Sequence, residues 1–156
     1  MHSRIFQVSE NPIPQSDFAT ALDMPDWFTD SGIADYVSDE IGEREQEIGF
    51  LAGCLQNIAG VDGNKLTFKS DISAYFNGSY ATFVELAKKY SEMTKEDFCS
   101  ESVFGKMHLL NEMVEDKYGY YVLEGEWLTP VTLDRWLRRV KPGAVYYIGG
   151  IIDYHF

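Results

Sequence analysis

Ala144–His155 puts apolar side chains on both faces of an extended chain. Val145, Tyr146, Tyr147, Ile148, Ile151 and Ile152 follow one another with only Gly149 and Gly150 between them. Such a strand has no face to offer to water, so it belongs at the centre of a sheet. The Gly149-Gly150 pair marks a bulge or bend within it.

Other segments show the two-residue period of strands. Ser3–Val8 carries Ile5, Phe6 and Val8, and Lys65–Lys69 alternates Leu66 and Phe68 with polar residues; Gly119–Trp127 is a further strand. Helical spacing lies between them. Asp71–Ser91 repeats Ile72, Phe76, Tyr80, Phe83, Ala87 and Tyr90. Thr94 opens a capping box for one helix bearing Val103, Met107, Leu110 and Val114, which Gly119 ends. Thr132 caps another, with Leu133, Trp136, Leu137 and Val140 inward and Lys141-Pro142-Gly143 as its stop. Ser31–Ile41 has the 3,4 spacing of a short helix through Ile33, Tyr36 and Val37. Glu43–Ala59 carries a helical stripe, but Gly49 and Gly53 weaken it, so Ile48–Ile58 stays open between helix and strand. A strand over Leu55–Val61 would make a hairpin with the next through Asp62-Gly63.

At 156 residues the chain is expected to form one α+β domain spanning 1–156. The expected sheet is mostly antiparallel, of three to five strands, with helices packed on one face. The core is predicted to hold Ile5, Leu55, Phe68, Phe83, Met107, Leu110, Trp136, Leu137, Ile148 and Ile151.

The charge is concentrated in one place. Between Glu10 and Glu47 stand eleven carboxylates and a single base, Arg44, which gives that quarter of the chain −10 of the total −12. Pro12 and Pro14 exclude regular structure at its start. Asp17–Asp30 reads as an ordered loop held by Trp27 and Phe28. An acidic field opposes direct contact with nucleic acid or anionic lipid, both of which need clustered Lys and Arg. Two cysteines, no apolar leader and no apolar run near 20 residues point to a cytoplasmic chain with reduced thiols.

No motif names a reaction, a cofactor or a metal. Glu101, His108, Glu112 and Glu115 share a helix face, yet Glu-x-x-His does not occur, so the expectation is a solvated face. Cys99 and His108 fall on opposite sides of one continuous helix. Asp153 and His155 face the same way on the last strand, and Glu124 or Glu126 across from them would complete the best acid–base or metal grouping. Arg135, Arg138 and Arg139 either answer a helix dipole or form a docking face for the chain's own acids or a partner's.

The leading expectation is a non-enzymatic interaction domain that binds a basic protein surface. Its contacts are Asp23, Asp26, Trp27, Phe28, Asp30, Asp35, Asp39 and Glu40, because charge speeds encounter and buried rings hold a complex. A sharper alternative is nucleic-acid mimicry, in which carboxylates occupy the basic groove of a nuclease or DNA-binding protein. In composition the chain resembles small acidic antirestriction and anti-CRISPR proteins of phages and mobile elements. Gly125-Glu126-Trp127-Leu128 before a capped helix is similar to a stretch of some antirestriction proteins, though four residues assign no family. A small enzyme or metal protein built on Asp153 and His155 is the other alternative.

Overall fold

The computed structural model describes residues 1–125 and 128–156. The sheet forms around β7 (Val145–His155), the strand that the apolar run predicts to be central. On one side β7 pairs antiparallel with β1 (His2–Ser9). Beyond β1 lie β5 (Tyr121–Glu124), parallel to it, and β6 (Thr129–Thr132), antiparallel to β5. Two strands share the other edge of β7. β4 (Lys65–Phe68) pairs with 145–147, and β2 (Tyr36–Ser38) pairs with 153–155. β3 (Ala59–Asp62) continues the sheet outside β4.

The expectation of three to five mostly antiparallel strands is therefore corrected to a mixed sheet of seven strands among the described residues. The parallel pair arises because more than a hundred residues separate β1 from β5, ample for the crossover that parallel strands require. β3 falls where the Leu55–Val61 alternative put a strand, and the two strands not foreseen, β2 and β6, are short, of three and four residues.

Two helices cover one face, and the expectation that the helices all pack on one face is not met, since a helical turn at Trp27–Asp30 lies against the other. α2 (Arg44–Leu55) and α6 (Leu133–Leu137) set Ile48, Leu51, Leu55, Trp136 and Leu137 on Phe6, Val8, Ile148 and Ile151. Ile48–Ile58 thus resolves as helix up to Leu55, and β3 and β4 form the hairpin. Its loop is Gly63-Asn64, with Asp62 facing Lys65 and Gly63 at φ +57°. Thr132 caps α6 through a bond from the Arg135 backbone N–H at 3.3 Å.

The opposite face is closed by the acidic segment itself, 15–38, which lies across the sheet as a strap. It buries Ala19, Phe28 and Ala34 against Ile5, Tyr121, Leu123, Ile152 and Tyr154. The short helix expected over Ser31–Ile41 is not there. The helix comes earlier, as α1 (Trp27–Asp30), and Gly32 at φ +70° follows its end. Ile33 and Ala34 then turn inward, and Tyr36–Ser38 gains ladder bonds to β7 that a lone helical turn would not have.

Gly149 and Gly150 do form a bulge. Phe6 faces Ile151 while Val8 faces Ile148, so β7 carries one residue more than β1 across that interval. Both glycines are required by close approach. A Cβ on Gly149 would collide with the Gln7 carboxamide, and one on Gly150 with the Ala19 backbone.

Between β4 and β5 the chain leaves the sheet as α3 (Asn77–Ser91), α4 (Lys95–Phe98) and α5 (Ser102–Glu112). The single helix expected from Thr94 is broken at residues 99–101, where the Ser100 hydroxyl donates to Asp97 O at 2.7 Å and competes with helix continuation. The premise of a continuous helix between Cys99 and His108 falls with it. Three core expectations also fail: Phe83 and Leu110 are only partly buried, and Met107 is 46% exposed. These helices pack on one another rather than on the sheet, so their inward faces stay shallow. Ile5, Leu55, Phe68, Trp136, Leu137, Ile148 and Ile151 are buried as predicted.

Candidate interaction surface

The strap is held at four points. The buried Gln7 side chain accepts from Ala19 N at 2.8 Å and Gly150 N at 2.7 Å, and donates to Asp17 O at 3.1 Å. Phe28 stands edge-on to Tyr121 and Tyr154, with ring centroids 5.0 and 5.5 Å apart. Asp39 accepts from Ala21 N at 2.6 Å and ties the strap's end to its beginning. The Asp35 carboxylate meets His155 Nδ1 at 3.0 Å, beside a Tyr36–His155 ring stack. Of the two rings named from sequence, Phe28 is the anchor and Trp27 remains 44% exposed.

The predicted contact acids separate into two groups. Asp23, Asp35 and Asp39 hold the strap together, Asp23 by accepting from Thr20 N at 2.8 Å. Asp26, Asp30 and Glu40 are exposed, and their carboxylates make no hydrogen bond or ion pair among the described residues. Arg44, the segment's one base, turns inward. Its guanidinium lies 4.7 Å over the Phe18 ring and donates to Ile148 O at 3.0 Å, and burial pushes its pKa down. Glu47 also leaves the outer surface. It is 5% exposed and pairs with Arg4 through two bonds of 2.9 Å.

Beside the strap lies a cleft of about 450 Å³. Trp27 and Ile33 form one wall, and Val114 and Glu115, past the end of α5, form the other. Glu115 accepts from the Thr132 hydroxyl at 2.8 Å and from Arg135 at 2.9 Å. Burial, then the negative charges of Glu115 and Asp116, push the Tyr121 phenol up to about 12. Arg135 thus answers Glu115, and Arg138 donates to Val114 O at 2.6 Å while covering the Phe76 ring. These arginines dock onto the helical excursion, not onto the chain's own 10–47 segment.

The Asp153 and His155 grouping does not assemble with Glu124. Asp153 is 4% exposed and engaged by Arg4 and by His2 Nδ1, the latter at 2.8 Å. Glu124 pairs across from Val8, at the Ile148 end of the sheet. Five residues of β7 separate it from Asp153, roughly 16 Å at strand rise. Glu126 lies outside the described residues, as does Trp127 of the Gly125–Leu128 stretch. On α5, His108 pairs with Glu112 at 3.1 Å, in the open.

No family model matches this chain, and no curated protein or solved structure matches it either. Among the described residues no helix is long and apolar enough to cross a membrane.

Two features escaped the sequence reading. Gln7 was visible as a polar residue inside an apolar strand, and that break in pattern was the available signal. The exposure of Phe104, Met107 and Val114 left no such signal, because a helix stripe looks the same whether or not anything covers it.

Proposed function

We propose that this protein is a non-enzymatic interaction domain whose acidic strap binds a basic protein surface. The observation that carries this reading is the asymmetry of the 10–47 segment: held across the sheet by its strap, it turns its one base, Arg44 at the start of α2, inward and presents Asp26, Asp30 and Glu40 outward without partners among the described residues. An ordered strap loses little conformational freedom on binding, unlike a floppy acidic tail. Its charge would accelerate encounter with a cationic surface, and Trp27 stands at its margin as an anchor.

The test is the association rate of a basic partner, recovered from extracts of the native host, at two salt concentrations. Asp26→Asn/Asp30→Asn/Glu40→Gln is expected to slow association and flatten its salt dependence. Equal rates and equal salt slopes would leave these acids with solubility alone. A narrower form makes the partner a nuclease or other DNA-binding protein whose basic groove the carboxylates occupy, as duplex phosphates do. In that form duplex DNA competes with this protein for the partner, and for any other basic partner it does not.

A further inference from the structure

α3, α4 and α5 bury no side chain completely, although they carry Phe83, Leu86, Phe104 and Met107. Helices in water owe most of their stability to covering an apolar face. On α5 the face is left bare: Phe104 is 77% exposed, Met107 46%, and Val114, just past the helix end, 45%. With Asn111 between them these positions step 3, 4 and 3 residues, the spacing of a seam along one side of a helix. The seam runs about 15 Å at 1.5 Å per residue. It ends in the cleft where Val114 faces Trp27, so two exposed apolar features from distant parts of the sequence form one surface.

The charges around that surface select its occupant. Asp26 and Asp30 flank Trp27, and Glu101 and Glu112 flank the seam. Of the nearby bases, Lys106 pairs with Asp97 at 3.7 Å and Arg135 with Glu115, while Lys117 in the cleft lining reaches Gly32 O at 3.4 Å and covers the Tyr118 ring, so acids still outnumber bases around the surface. A second copy of a chain at −12 would lay acids on acids. Anionic lipid is repelled for the same reason.

We propose that the seam and its cleft seat an amphipathic helix of a partner, apolar on the inner side and carrying Lys or Arg along both flanks. This rests on the reading of the strap as a face for basic proteins, and it adds the partner's secondary structure and the second bank of the site. Helix-in-groove recognition needs anchors at i, i+3 or i+4 and i+7, which an α5 seam of about three turns matches in length.

The probe is a synthetic Leu/Lys peptide of about fourteen residues, roughly 21 Å of helix, with Leu at helical spacing. Its control is a permuted peptide of the same composition without that spacing. Both are titrated into the whole protein by calorimetry and amide NMR. Phe104→Ser/Met107→Ser removes exposed side chains only; Trp27→Ala tests the cleft separately. The patterned peptide is expected to shift α5 and Trp27 resonances. It should bind about tenfold or more tightly than the permuted one and lose about tenfold in either variant, as anchor truncation does. Asp26→Asn/Asp30→Asn should weaken both peptides.

Equal, salt-sensitive binding of the two peptides, weakened only by the strap variant, would overturn the helix seat and leave the strap reading standing. If the patterned peptide depends on Phe104 and Met107 but not on the strap acids or on salt, the partner is not basic; both readings fall. A concentration-dependent dimer abolished by Phe104→Ser/Met107→Ser would make a second copy the occupant and overturn the proposal.

Discussion

Gln7 and Ala19, twelve positions apart, are joined by the bond that fixes the strap to the sheet, from Ala19 N to Gln7 Oε1 at 2.8 Å. The same oxygen accepts from Gly150 N inside the β7 bulge. Replacing Gln7 by Ala leaves two buried N–H groups without an acceptor, at about 1–3 kcal/mol for each group so stranded. The urea midpoint should fall. Amide exchange should rise first over residues 17–34 while α2 stays protected. Uniform loss of protection would show that strap and sheet open as one unit.

Arg4 sits between two carboxylates on the other face of the same strand. It holds Glu47 through two bonds and also meets Asp153, while Glu47 and Asp153 are 5% and 4% exposed. Breaking a buried pair on one side costs about 3–5 kcal/mol because the remaining charge is stranded. Arg4→Ala strands Glu47 and leaves Asp153 with His2 alone, and should fall in that range, reduced where water reaches its partly exposed guanidinium. Arg4→Met with Glu47→Leu and Asp153→Asn should recover much of the loss. Equal melting temperatures for the single and triple variants would mean that the ions, not their pairing, matter little here.

Alkali should unfold this protein through its buried phenols. Tyr121 is pushed up to about 12 by burial, then by Glu115 and Asp116; Tyr146 is pushed up to about 12 by burial, then by Glu124. Burial raises Tyr154 as well. A folded-state value above the unfolded one stabilises the protein fully below the unfolded value, near 10, and less as pH climbs through the folded value. Stability should therefore hold from pH 7 to about 9 and decline between about 10 and 12. Ultraviolet titration should show a set of phenols that ionise only as the fold is lost. Every tyrosine titrating near 10 in a still-folded protein would contradict this.

The centre of the fold was legible because β7 is long and apolar on both faces, and no other element could take that place. α6 was legible through its Thr132 cap and Trp136, two local signals that agree. The rest depended on contacts distant in sequence. Tyr36–Ser38 became a strand only because the open edge of β7 reached it, and its helical spacing was incidental. Met107 was assigned to the core by a period that cannot say what lies opposite. The acids of the candidate surface were plain in the composition. Their division into structural and outward groups required the Ala21 N–H and the His155 ring to be in place.

That division gives a test on stability alone. Asp39 accepts from a backbone N–H and Asp35 meets an imidazole, so replacing either by Ala removes a bond worth about 0.5–1.5 kcal/mol. The Asp26, Asp30 and Glu40 carboxylates hold no partner among the described residues and stand in a field of like sign. Asp26→Asn/Asp30→Asn/Glu40→Gln should raise the melting temperature at low salt, because folding then gathers less like charge. The gain should shrink toward zero near 1 M salt, where the screening length is about 3 Å. Asp39→Ala should destabilise at both salt concentrations, since a hydrogen bond to a backbone amide is screened far less than a field between separated charges. Should the triple variant instead melt lower at low salt, those three acids would be structural too, and the strap would have no outward set left to offer a partner.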